Sequence, residues 1–183
     1  MTDIEDKLLI WKFRRGSGDA LCRIYEKYKG NLLKIASGLL NDTAAAEDIV
    51  HDTFLFLGQS AQKLRLDGNL KNYLATCVAN RVRNLNKAAR RQGTADLGEA
   101  GQAVSRAKRP EQWIVFNEQL KRVNDALEEL PYEQREVVIL HVQGGLKFRA
   151  IAESQGVSIN TVQSRYRYGL DKLRSILDSE VEL

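Results

Sequence analysis

The chain has 183 residues, with 28 Lys or Arg against 24 Asp or Glu, a formal net charge of +4 and 43% hydrophobic residues. That length fits one ordinary domain or two small ones, and the apolar content excludes wholesale disorder. No apolar run approaches the roughly 18–20 residues of a membrane-crossing helix, and the opening MTDIEDKLLIWKFRRG lacks a signal peptide's apolar stretch and cleavage site. A cytoplasmic protein is expected.

From Ile4 to about Arg91, apolar residues recur at three- and four-residue steps, as in Leu21, Ile24, Tyr25, Tyr28 and then Leu32, Leu33, Ile35, Ala36, Leu39, Leu40. This is helical periodicity, with breaks at Gly16–Gly18, Asn41–Thr43 and Asp67–Asn69, so four helices are predicted in this half. In NDTAAAEDIV, Asp42 or Thr43 is placed to cap the third helix. Cys22 and Cys77 each lie inside an apolar helical pattern and read as small buried residues. With His51 and His141 the only histidines, neither a metal site nor any other cofactor is expected.

Residues 93–111 hold three glycines and mostly small or charged side chains, and read as a flexible linker. Fully extended, it spans roughly 60 Å. Beyond it, Trp113, Phe116, Leu120, Val123, Leu127 and Leu130 form another helical pattern, ended by Pro131. Val137, Val138, Leu140 and Val142 follow, then a Gly144–Gly145 break and two more helices. The predicted fold class is all-α, two small helical domains on a tether.

Charge is unevenly spread. From Arg81 to Arg109, eight basic residues face only Asp96 and Glu99, a local balance of +6; between Asp42 and Asp52 lie four acidic residues and no Lys or Arg. A basic stretch is an electrostatic footprint for phosphate, and an acidic helix wants a basic partner; solvated faces are the plainer alternative for both.

The strongest local signal is FRAIAESQGVSINTVQSRYRYGLDKLR, from Phe148 to Arg174. Ile151 and Ala152 sit in a short helix, Gly156 falls where a tight turn needs positive φ, Val157 and Val162 fill the crevice, and Ser158 is placed to cap a second helix. This is helix-turn-helix grammar, whose second helix enters the DNA major groove, although some such units are purely structural. Its predicted reading face holds Asn160, Thr161, Gln163, Ser164, Arg167 and Tyr168, rich in side chains that pair with base edges or phosphates.

The segment LPYEQREVVILHVQGGLKFRAIAESQGVSINTVQSRYRYGLDKLRSIL resembles the C-terminal domain of the extracytoplasmic-function (ECF) sigma factors of bacterial RNA polymerase. GDALCRIYEKYKGNLLKIASGLL, AEDIVHDTFLFL and NYLATCVANRVRNLNKAARR are similar to that family's other domain. The resemblance implies that residues 1–92 are sigma region 2, which binds core polymerase and recognises and melts the −10 element. It likewise implies that 93–111 are a linker and 112–183 are region 4, which reads the −35 element. A 60 Å tether spans about 1.7 turns of duplex, enough for both domains to engage together.

Carried over residue by residue, the resemblance assigns Glu47, Asp48, His51 and Asp52 to the clamp of the β′ subunit, with Phe54 packing inward. It assigns Asp67, Asn69, Asn80, Arg83, Asn84, Lys87, Arg90 and Arg91 to the −10 strand. Ser158, Asn160, Thr161, Gln163, Ser164, Arg165, Arg167 and Tyr168 are assigned to the −35 duplex. Tyr73 is either a stacking plane for a base or a core residue. The implied partners are core RNA polymerase, through its β′ clamp and β subunits, and promoter DNA. An anti-sigma factor is one candidate regulator beside phosphorylation and transcriptional control.

The sequence departs from the family pattern in several places. His51 stands for the usual Gln, Gly58 for a common Trp, Lys147 for a Ser/Thr cap, Arg149 and Ala150 for an acidic pair, and Gln163 for a frequent Lys or Arg. A stand-alone helix-turn-helix regulator is the alternative reading; it leaves the AEDIVHDTF segment without a use. No nucleophile–base pair, phosphate-cradling loop or ligand cluster supports an enzyme. In the free chain, two basic domains on a tether are expected to fold back and bury DNA-reading surfaces, with the acidic tail Asp178, Glu180, Glu182 covering part of them.

Overall fold

The computed structural model describes residues 2–40, 42–61, 69–95 and 118–179, and among them all regular structure is α-helical. The first half contributes α1 (Thr2–Arg14), α2 (Gly18–Leu40), α3 (Thr43–Gln59) and α4 (Leu70–Ala95). The second contributes α5 (Glu118–Glu128), α6 (Tyr132–Val142), α7 (Phe148–Gln155) and α8 (Ile159–Ser179). The expected four-plus-four helices are present. Helix α4 continues to Ala95, three residues into the expected linker; the rest of that linker, 96–111, lies outside the described residues.

Helix α2 organises the first bundle. Its buried residues Ala20, Ile24, Tyr28, Leu32, Ile35, Ala36 and Leu39 recur at three- and four-residue steps, so one stripe faces α1, α3 and α4. Each large side chain in it, buried fully, contributes roughly 1.5–3 kcal/mol of transfer free energy. Helix α1 meets α2 through Leu9, Phe13 and a buried carboxylate, Asp6, which accepts from Lys27 Nζ at 2.7 Å and Tyr28 Oη at 2.5 Å. Burial and the Asp6 hydrogen bond both push the Tyr28 hydroxyl well above its ordinary range; hydrogen bonds to Asp6 and Glu5 raise Lys27. At the start of α3, Asp42 Oδ1 accepts from the backbone N–H of Ala44 (2.9 Å) and Ala45 (3.1 Å), the predicted cap.

In the second bundle α6 is central, packed against α7 and α8 and also against α2. Five consecutive residues, Glu136 to Leu140, are buried, which leaves no solvent face over that stretch. The helix-turn-helix is formed as expected: Ile151, Ala152 and Val162 are buried, and Gly156 closes α7 in the left-handed region at φ 67°. Ser158 Oγ then accepts from Thr161 N at 3.0 Å, capping α8. Lys147, by contrast, precedes α7 in an extended conformation without any side-chain cap bond.

The two bundles pack together. Gly38 of α2 lies so close to α6 that a Cβ there would come within 2.9 Å of Ile139 Cδ1, and Asn31 Nδ2 donates to Gln143 O at 3.1 Å. Helix α4 lies against α7 in the same region. The cysteines depart from expectation: Cys22 is exposed and Cys77 half-buried, because the α2 stripe that faces the core runs through Leu21 and Ile24 and leaves Cys22 outside. Burial raises the Cys77 thiol.

Candidate functional site

Three faces carry the expected site residues. On α3, Ala46, Val50, Thr53, Phe54 and Leu57 are buried, so helical spacing turns Glu47, Asp48, His51 and Asp52 outward together, all exposed. Phe54 packs inward, edge-on to Tyr25 at 4.8 Å. The same outward stripe continues through Leu55 and Phe56, 51% and 45% exposed, which the sequence reading did not single out. The stripe is therefore acidic at its N-terminal end and apolar at its C-terminal end. Arg81 of α4 steadies that end: its guanidinium lies 5.2 Å from the Phe56 ring centroid and donates to Asp52 O at 3.0 Å.

On α4, Leu74, Ala75, Val78, Ala79 and Val82 face the core. Asn80, Asn84, Lys87 and Arg91 form the opposite, exposed stripe, with Arg90 exposed and Arg83 on the flanks. The flank position decides what Arg83 does. Its Nε donates to Glu136 Oε1 at 2.8 Å, Nη1 to Ser154 O at 2.7 Å and Nη2 to Ser154 Oγ at 3.3 Å. Arg83 is thus tied to the second bundle rather than turned to solvent. Asn69 is also occupied, its Oδ1 accepting from Lys71 N at 2.7 Å at the start of α4. Asp67 and most of the expected strand-gripping loop lie outside the described residues. Tyr73 is half-buried against the core, and burial pushes its hydroxyl up to about 12, which favours the core reading over a free stacking plane.

On α8, Asn160, Gln163, Arg167 and Tyr168 are exposed and Ser164 is half-exposed beside them. The Arg167 guanidinium rests 5.1 Å from the Tyr168 ring. Ser158 and Thr161 turn their hydroxyls to each other at 2.8 Å, within the cap. Arg165 points along the flank instead, donating to Gln155 Oε1 at 2.8 Å, while Gln155 Nε2 donates to Glu136 Oε2 at 2.9 Å. Glu136, 2% exposed, is therefore the hub of a chain that runs from Arg83 through itself and Gln155 to Arg165. Burial raises its carboxyl; Arg83 and Gln155 oppose that rise. Sequence reading missed Glu136, and the one signal was an acidic residue embedded in the apolar run REVVIL. His141 has a structural place: it stacks on Phe148 at 4.3 Å and its Nδ1 meets Leu146 O at 2.8 Å.

One molecule thus presents an exposed helix face that runs from acidic to apolar, a basic and amide-rich helix, and a helix-turn-helix with an open polar face. Residues 24–92 match the family description Sigma-70 region 2, and residues 120–173 match Sigma-70, region 4. The chain belongs to the sigma-70 family, and its relatives place it among the ECF sigma factors.

RNA polymerase sigma factor CarQ of Myxococcus xanthus is 27% identical over 175 residues, 94% of this chain and 97% of that protein. RNA polymerase sigma factor CnrH of Cupriavidus metallidurans is 26% identical over 184 aligned positions, covering 97% and 96%. The solved structure of CnrH with the cytosolic domain of CnrY shares the fold at a TM-score of 0.69, spanning 96% of this chain and 98% of that one at 21% identity. The sigma factor RpoE in complex with the anti-sigma factor NepR from Bartonella quintana gives a TM-score of 0.66 at 26% identity over 80% and 89%.

Proposed function

We propose that the chain directs core RNA polymerase to specific promoters through three separate surfaces. Residues 1–92 act as region 2, 93–111 as the linker and 112–183 as region 4. The observation that carries the reading is the exposed stripe Glu47, Asp48, His51, Asp52 on α3, an acidic docking face on a net basic protein. It suits a basic helical partner, the β′ clamp, whereas a stand-alone regulator needs no such face. Asn80, Asn84, Lys87, Arg90 and Arg91 grip the melted −10 strand, using amides for base edges and cations for phosphate. Asn160, Gln163, Ser164, Arg167 and Tyr168 read the −35 duplex in the major groove, while Ser158 and Thr161 cap and support that helix.

The protein is a non-catalytic subunit that works in the cytoplasm; among the described residues no helix is long and apolar enough to cross a membrane. Since RpoE of this fold is solved in complex with the anti-sigma factor NepR, an anti-sigma factor is the proposed class of regulator. Purified chain added to core polymerase should give promoter-specific transcripts from a promoter library. Tight duplex binding without core, and no transcript with it, would overturn the reading in favour of the stand-alone regulator.

A further inference from the structure

We infer that the free protein is held closed by a lock centred on Arg83 and Glu136, and that the lock withholds Arg83 from strand binding while leaving the duplex-reading surface open. The inference rests on the proposed role of α4 in strand binding.

Three observations converge on it. Arg83 spends all three of its nitrogens across the bundle boundary, on Glu136 and Ser154. Three of its five N–H donors are spent and the side chain is only 20% exposed, so strand and lock compete for one group. Glu136 is buried, and without Arg83 its carboxylate keeps only the Gln155 amide as a partner, which makes the closed pairing costly to break. Around the pair, the bundles are fitted rather than loosely touching: Gly38 admits Ile139 where any side chain would intrude, and Asn31 bonds the Gln143 carbonyl.

The geometry also says what stays free. Asn160, Gln163, Arg167 and Tyr168 remain exposed on α8, so fold-back does not bury both DNA-reading surfaces as the sequence suggested. Of the acidic tail, Asp178 is exposed and Glu180 and Glu182 lie outside the described residues. The connection Glu136–Gln155–Arg165 joins the lock to the flank of the recognition helix. Opening the lock thus releases Arg83 for the strand without dismantling the helix-turn-helix.

Two full-length variants test the lock from different sides, neither altering a proposed DNA or polymerase contact. Glu136→Gln keeps the volume and removes the charge that holds Arg83. Gly38→Leu keeps α2 helical and wedges α6 away from it. Their affinities for short fluorescent single-stranded DNA of randomised sequence, and for the matching duplex, are measured at low salt beside wild type, with the radius of gyration from small-angle scattering. Both variants should expand and bind single strand about tenfold more tightly, because the competent fraction rises, with duplex affinity unchanged. Circular dichroism confirms that each remains helical. Expansion without a gain for single strand, equal gains for strand and duplex, or no expansion in either variant overturns the inference. Transcription by wild-type protein with core polymerase reads the proposed function separately, and its success together with any of those three results refutes the lock alone.

Discussion

Asp48→Arg probes the docking stripe directly, and its effects on folding and binding separate cleanly. Asp48 is exposed, six residues beyond the Asp42 cap, past the first turn where the helix dipole acts on charge. Its i+4 neighbour is Asp52, so reversal replaces a repulsive pair by an attractive one, worth about 0.3–0.5 kcal/mol in favour of the helix. Stability should therefore hold or rise slightly. Binding should not. Reversing a charge within a complementary interface costs at least about 2 kcal/mol, or about thirtyfold in Kd. Fluorescence titration against core polymerase, with thermal melting of the same samples, measures both quantities. The deficit should shrink as salt is raised, since part of it is long-range repulsion. An unchanged melting curve with a Kd within threefold of wild type would refute the docking assignment.

The other predictions concern DNA, pH and a missing cap. Arg167→Ala or Gln163→Ala should relax discrimination at individual −35 positions by about 1–3 kcal/mol each. Asn80→Ala should leave duplex binding intact and reduce promoter melting, read by permanganate footprinting of the holoenzyme; normal melting would show that α4 has been given the wrong task. The Asp6 cluster makes stability fall at alkaline pH. Tyr28 and Lys27 both have folded pKa values above their ordinary ones, so their contribution is full below about pH 10 and is lost as pH rises through the folded values. Asp6→Asn should flatten that slope in urea melts taken across the alkaline range. Lys147→Ser supplies the absent α7 cap and should stabilise by about 1 kcal/mol, raising Tm by about 2–4 °C; a lower Tm would mean that Lys147 makes a contact more valuable than the cap.

Helix periodicity, caps and the turn at Gly156 were legible from the sequence because they are local. A stripe at three- and four-residue steps decides which face of α2 or α3 is buried whatever the partner, and that same arithmetic turned Glu47, Asp48, His51 and Asp52 outward together. Asp42 and Ser158 cap because the groups they satisfy lie two or three residues away. The fates of Arg83, Arg165 and Glu136 were not legible, because each depends on a residue from another helix. Arg83 and Ser154 are 71 positions apart in the chain. In sequence, Arg83 is one more cation on a basic helix; only the packing of α4 against α7 and α6 makes it a partner for a buried carboxylate. The near-continuous burial of α6 has the same origin. One face meets its own bundle and the other meets α2, so the five consecutive buried residues mark where the two bundles join. Local chemistry thus determined the helices and their exposed faces, and tertiary packing decided which of the charged side chains are free to bind.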